Sequence, residues 1–210
     1  LLTPAGAIAV LAFEWWNPRT IGGMDVGGKL LNAVFHSVVS RTAGFNTVDI
    51  GAMRPETLLA TSGLMMIGGG SAGTAGGIKV TTFLVLGLVV LAEIQGERDA
   101  ASFRRRLSSE TQRLALTVAL LSIAVVSAAT LTLLSMTTFP LDRVLFEAVS
   151  AFATVGLSTG ITAQLPPGGQ LVLIALMFVG RVGTVTLAAA LALRARQRPY
   201  RFPEERPIIG

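Results

Sequence analysis

The chain has 210 residues, 51% hydrophobic and 14% charged, with a formal net charge of +5. Soluble domains carry about 25% charged residues, so the composition excludes an ordinary water-soluble domain and points to a membrane protein. The basic excess sits in two loops rather than on one face, which argues against nucleic acid as a partner, and the absence of cysteine excludes disulfide and thiol chemistry.

The apolar run at 1–13 is too short to cross a hydrocarbon core of roughly 30 Å. It lacks the basic start and small-residue cleavage site of a signal peptide. It therefore reads as the end of a truncated transmembrane helix, in a chain that is a fragment, closing at the interfacial pair Trp15–Trp16. A short helix is expected over Lys29–Ser40, followed by the non-helical "RTAGFNT" (41–47). The apolar stretch Thr57–Leu91 exceeds one span, but residues 68–77, "GGGSAGTAGG", divide it. Six of those ten residues are glycine. Each costs about 1 kcal/mol relative to Ala inside a helix, so the tract is expected to break one, with the helix resuming at Lys79. A basic linker, 93–113, carries Arg98, Arg104, Arg105, Arg106 and Arg113. Leu114–Met136 is a charge-free span, and Pro140–Pro167 is too short and too polar for two more crossings. That piece reads as a re-entrant element, a helix of about 13 residues and a non-helical return. Gln170–Leu193 is the last span, interrupted only by Arg181, and 194–210 is a basic tail. Basic clusters beside spans mark the cytoplasmic side.

Two halves align without gaps at an offset of 112. Thr42, Gly44 and Thr47 fall on Thr154, Gly156 and Thr159, while Leu59, Leu64, Met65 and Gly68 fall on Leu171, Leu176, Met177 and Gly180. Each half runs span, re-entrant piece, span. Internal repeats of this kind surround a shared pathway. Irregular backbone at membrane depth is tolerated where protein buries it or where it lines a water-filled path. The candidates are "TAGF" (Thr42, Ala43, Gly44, Phe45) and "TVGL" (Thr154, Val155, Gly156, Leu157). Both are poor in charge and rich in carbonyls, which suits replacement of the water shell of a monovalent cation.

The glycine tract also satisfies two enzyme patterns. Gly68-x-Gly70-x-x-Gly73 fits the dinucleotide fingerprint, and Gly69-x-Ser71-x-Gly73 fits a hydrolase nucleophile elbow. The first needs a preceding strand, and apolar helical sequence stands there instead. The second needs a base. The single histidine is His36, and "GLSTG" (156–160) matches the elbow equally well. An intramembrane serine hydrolase using Ser71 or Ser158 with His36 is the rival reading from another class. The favoured expectation is that the chain is not an enzyme.

Three motifs, "FHSVVSRTAGFNTVDIG", "GGGSAGTAGGIKVTTF" and "FEAVSAFATVGLSTG", in that order and spacing, closely resemble the Trk/Ktr/HKT superfamily of cation transporters, specifically the bacterial TrkH/KtrB-type potassium-uptake subunits. The resemblance covers essentially the whole chain. It implies an all-α membrane fold of tandem M1–pore loop–M2 units, as in potassium channels, with re-entrant pore helices and one broken M2. It makes 1–92 the third unit (M1 truncated, M2 broken at 68–77), 93–113 a cytoplasmic linker, 114–193 the fourth unit and 194–210 a cytoplasmic tail. It implies that Gly44 and Gly156 are filter glycines within a potassium-binding filter of Thr42, Ala43, Gly44, Phe45, Thr154, Val155, Gly156 and Leu157. It further implies a gate of Gly68, Gly69, Gly70, Ser71, Gly73, Gly76, Gly77, Lys79 and Arg181. K+ is the implied transported ion, with Na+ as a coupling ion or, in a sodium-preferring member, as the cargo. No covalently bound cofactor is implied. The implied setting is a bacterial inner membrane, with lipid, a second copy of the chain and a cytosolic RCK-type nucleotide-binding subunit as partners.

Arg181 lies near the middle of the last span, where a charge costs roughly 2.5–3.5 kcal/mol on insertion scales. Its five donors suit loop carbonyls, and its charge would repel passing cations. Arg41 just precedes the first loop, where it can satisfy the carbonyls at the end of its short helix or bias ion entry; the sequence does not choose, and a structural role is the favoured expectation. Glu14, Asp25, Asp49, Asp142 and Glu147 are expected on a solvated outer rim.

Overall fold

The computed structural model describes residues 2–41, 43–69, 76–96, 101–102 and 105–183, with only the backbone course at 101–102, 105–106 and 183. It is helical, with seven α-helices among the described residues: α1 (Leu2–Glu14), α2 (Val26–Val39), α3 (Pro55–Met66), α4 (Val80–Ile94), α5 (Ser109–Met136), α6 (Leu141–Phe152) and α7 (Pro167–Phe178). The linker pairs a two-residue strand β1 (Ala101–Ser102) with β2 (Arg105–Arg106), antiparallel.

The 112-residue repeat is visible in the backbone. Helices α3 and α7 have twelve residues each and differ by that offset at both ends. So do the 3₁₀ turns Ile50–Ala52 and Thr162–Gln164 that precede them. Proline explains the common start. Pro55 and Pro167 take the first helical position, where the missing N–H has no partner to lose.

Helix α5 is long and apolar enough to cross a membrane, at about 42 Å for its 28 residues. It begins at Ser109, ahead of the expected Leu114, because the Ser108 side chain caps it by accepting from the Thr111 N–H at 3.2 Å. Helix α2 likewise starts before Lys29, at Val26. Lys29 is buried and folds back on the preceding loop, donating to the Trp15 carbonyl at 3.0 Å and lying 4.7 Å from the Trp15 ring centroid. Trp16 stands 80% exposed.

Helix α6 lies at the centre. It packs on α3, α5 and α7, and every residue from Phe146 to Phe152 is buried. Twelve residues reach about 18 Å, short of a crossing. The core gathers Phe146, Val149 and Phe152 with Leu58 and Met65 of α3, Leu133 of α5 and Leu173 and Leu176 of α7. Outward faces remain apolar: Leu59, Leu120, Ile123, Leu131, Leu171 and Ile174 are exposed. So wide an apolar surface suits contact with lipid or another chain rather than water.

Two helices fail at one register. Helix α3 stops at Met66, and α4 starts fourteen residues later at Val80. Helix α7, expected as part of one continuous span to Leu193, turns into a π-helical segment at Val179–Gly183. The cause is local. Gly180 lies so near α6 that an added Cβ would overlap the carbonyl oxygen of Phe152. The approach is possible because glycine has no side chain.

Candidate functional site

The two glycine loops leave the C-terminal ends of α2 and α6. Gly44 has φ +68° and Gly156 φ +91°, both in the left-handed region that glycine enters at little cost. The loops meet. A Cβ on Gly44 would lie 2.6 Å from the carbonyl oxygen of Val155, and one on Gly156 would lie 3.5 Å from the Gly44 Cα. The Val155 carbonyl is thus turned toward the opposite loop. Thr154, a β-branched residue at φ +55°, holds a strained conformation beside it.

Helix α6 fixes the second loop from behind. The Val155 N–H donates to the Ser150 carbonyl at 3.0 Å, and the Ser150 hydroxyl donates to the Leu157 carbonyl at 2.6 Å. That bond occupies one lone pair of Leu157, whose side chain is 2% exposed. Glu147, 4% exposed, accepts from the Ser158 hydroxyl (2.8 Å), the Thr159 N–H (2.8 Å), the Thr159 hydroxyl (3.0 Å) and the Thr162 hydroxyl (2.7 Å). The described residues of the first loop lie nearer the surface. Ala43 and Phe45 are exposed, and the Thr47 hydroxyl donates to Asn32 at 2.6 Å.

The base of the glycine tract rests on the same place. The Gly68 N–H donates to the Ile78 carbonyl (2.8 Å) and the Ile78 N–H to the Met66 carbonyl (3.1 Å), so the two ends of the tract are tied together. The Gly76 N–H donates to the Thr154 hydroxyl at 3.0 Å. A Cβ on Gly77 would press on Ala153. Lys79 stands at the N-cap of α4. Arg181 is exposed and lines an open cleft of about 490 Å³ together with Glu147, Ser150, Thr154 and Gly156. The tract and the second loop are therefore contiguous. Thr42, Gly70, Ser71 and Gly73 lie outside the described residues, as do the carbonyls of 70–75 among those that Arg181 is expected to cap.

One expectation is corrected. Glu14 and Glu147 are not on a solvated rim: Glu14 is 0% exposed. It accepts from Asn17 (2.6 Å), Thr20 (2.6 Å), the Arg54 N–H (2.8 Å) and Thr57. A carboxylate with no water needs these donors, and the polar residues 17, 20 and 57 were the signal in the sequence. The Arg41 side chain has a buried Nη2 without a hydrogen-bond partner, so it does not complete its helix cap through that atom. The serine-hydrolase pairing has no support at Ser158, which is bonded to Glu147, while His36 Nε2 lies 3.1 Å from the Thr61 hydroxyl.

Among the described residues no group of three or more His, Cys, Asp or Glu could hold a metal ion. Apart from the Glu147 carboxylate, whose oxygens are taken up by Ser158, Thr159 and Thr162, the oxygens around the described part of the loops are carbonyls and hydroxyls, chemistry suited to a monovalent cation.

Comparison with known proteins agrees with this architecture. The family profile described as "TrkH: Cation transport protein" matches residues 1–198. The Ktr system potassium uptake protein B of Bacillus subtilis (strain 168) is 37% identical over 210 residues, covering all of this chain and 47% of its own length. The protein of the same name from Vibrio alginolyticus is also 37% identical, with 46% of its length covered. The potassium/sodium uptake protein NtpJ of Enterococcus hirae is 37% identical over 188 residues, 87% of this chain and 42% of its own. The chain thus spans about half the length of these curated relatives. Among solved structures, the potassium transporter TrkH from Vibrio parahaemolyticus superposes with a TM-score of 0.60 at 22% identity, over 90% of this chain and 41% of that one.

Proposed function

Because the chain belongs to the TrkH family of cation transport proteins, we propose that it supplies two of the units around a potassium-conducting path in a bacterial inner membrane. Residues 1–92 form one unit and 114–193 the next, joined by the cytoplasmic linker 93–113 and followed by the tail 194–210. The loops Thr42–Phe45 and Thr154–Leu157 form part of the selectivity filter, and the tract 68–77 with Lys79 and Arg181 forms the gate. One observation carries the reading: two glycines 112 residues apart, both in left-handed conformation, face each other beside the Val155 carbonyl. The relatives named for potassium uptake support the cargo. The relative named for potassium and sodium keeps a sodium-preferring transporter as the second reading. The complete protein works as a dimer with a cytosolic RCK-type subunit, for which the basic linker and tail are docking surfaces, and Na+ serves as the coupling ion.

The test is expression of the complete protein in a bacterial strain lacking potassium uptake. Growth at limiting K+, with K+ uptake exceeding Na+ uptake, is the expected result. Uptake of Na+ in preference to K+ would favour the second reading, and uptake of neither would overturn both.

A further inference from the structure

We propose that Glu147 is a positioning residue for ion discrimination: its buried carboxylate, with Ser150, clamps the outer strand of the second glycine loop and so sets the orientation of the Gly156 backbone. The inference rests on the reading of Gly156 as a filter residue and adds the group that holds it.

The geometry is a two-point clamp. Glu147 and Ser150 are three residues apart, so they project from one face of α6. Ser150 fixes the loop on both sides of Gly156, through its carbonyl to the Val155 N–H and its hydroxyl to the Leu157 carbonyl. Glu147 then takes over one residue further on. Its Oε1 gathers the Ser158 hydroxyl and both donors of Thr159, and its Oε2 takes the Thr162 hydroxyl. The Ser158 hydroxyl oxygen in turn accepts from the Gly160 N–H at 3.0 Å, with Gly160 at φ +90°. The strand from Val155 to Thr162 therefore has no slack. A carboxylate suits this centre, because Oε1 takes three donors at once, one of them a backbone N–H that can only donate, and a carboxylate oxygen is the strongest acceptor a side chain offers.

The other half of the repeat lacks the clamp. At the offset of 112, Phe35 stands where Glu147 does and Val38 where Ser150 does, and both are exposed. Phe45, the counterpart of Leu157, is 71% exposed. The two loops share glycine conformation but not this clamp, whose two side chains only the second half carries.

The test uses the complete protein in the uptake-deficient strain, reading the K+/Na+ and K+/Rb+ uptake ratios at matched levels of membrane-inserted protein. E147Q keeps the volume but replaces the carboxylate oxygen that holds three donors by a weaker amide acceptor. It is expected to lower the K+/Na+ ratio by about tenfold or more, the scale of the strength lost from hydrogen bonds to a charged group. E147D keeps the charge and is expected to recover part of that loss. D142N, on the same helix and outside the clamp, is the control, with an unchanged ratio. If E147Q does not reach the membrane, the double variant S158A/T162V removes two of the bonds and leaves the carboxylate. It is expected to shift the ratio in the same direction. A reduced rate with an unchanged ratio in E147Q, or in the double variant when E147Q is not inserted, overturns the proposal and leaves Glu147 a purely structural residue. Absence of K+ uptake by the unaltered protein overturns the filter reading itself, and the clamp with it.

Discussion

At the scale of single residues, the glycines differ in what they permit. At Gly44 a side chain meets both an unfavourable backbone conformation and the Val155 carbonyl 2.6 Å away. At Gly156 the conformation is the main obstacle, because the nearest atom to an added Cβ is 3.5 Å off. Gly44→Ser and Gly156→Ser are both expected to weaken the preference for K+ over Na+ in uptake assays, with Gly44→Ser the more damaging to protein yield. Unchanged relative uptake in both variants would remove these glycines from the filter. Gly180→Ala is a different case, since its methyl group must displace the Phe152 carbonyl. It is expected to lower the amount of folded protein by an overpacking cost of roughly 1–3 kcal/mol, read as a reduced melting temperature in detergent. The T-x-G pattern marked both loops from the sequence because few residue types tolerate that backbone. The bond from Ser150 to the Leu157 carbonyl was not legible, since nothing in a serine codon position says which carbonyl its hydroxyl will reach.

At the scale of elements, the described C-terminal end of the glycine tract and the π-helical end of α7 both pack against the end of α6. Gly76 is bonded to Thr154, Gly77 packs on Ala153, and Gly180 packs on Phe152. Arg181 follows directly and faces the cleft shared with Thr154 and Gly156. A fixed positive charge there opposes a passing cation, and at an effective dielectric of about 20 two unit charges 6 Å apart repel by roughly 3 kcal/mol before screening. Arg181→Ala, or removal of part of the segment from Gly69 to Gly76, is therefore expected to raise K+ flux in vesicles at matched protein levels. Slower flux in folded, inserted variants would make the tract a hinge for helix packing instead of a gate. The break between α3 and α4 was legible, because glycine density opposes a helix wherever it occurs. The π segment was not. A single glycine at 180 is compatible with a regular α-helix, and its close approach to the Phe152 carbonyl is visible only in the folded structure.

At the scale of the whole molecule, two features hold the chain together and place it in its solvent. The first is Glu14, which joins α1, the loop after it and the start of α3 through Thr20, Asn17, Thr57 and Arg54. Glu14→Gln retains the size but puts a donor among donors. It is expected to destabilise the protein by about 1.5–3 kcal/mol per disrupted bond, seen as a lower melting temperature in detergent, with no change if the network is incidental. The second is the outward apolar surface. Ile123, exposed near the middle of α5, faces lipid if the helix spans. Ile123→Arg is expected to cost roughly 2.5–3.5 kcal/mol of insertion, and the fraction of protein resisting alkaline extraction from membranes should fall. An unaltered fraction would show that this face is covered by protein.

The sequence alone determined that the chain is a helical membrane protein, that one apolar stretch breaks at the glycine tract, and that it repeats at 112 residues. Those properties follow from composition, periodicity and backbone tolerance, which are local. Tertiary structure decided which side chains serve the loops. Glu14 and Glu147 read as rim charges because a carboxylate in sequence is indistinguishable from a solvated one. Folding surrounded each with donors drawn from positions as far as 43 and 15 residues away. The asymmetry between the loops begins in the sequence, where Phe35 stands at the register of Glu147, but its consequence is tertiary. Both carry the same T-x-G pattern, and only the packing of α6 at the centre of the fold gives the second loop a buried carboxylate behind it.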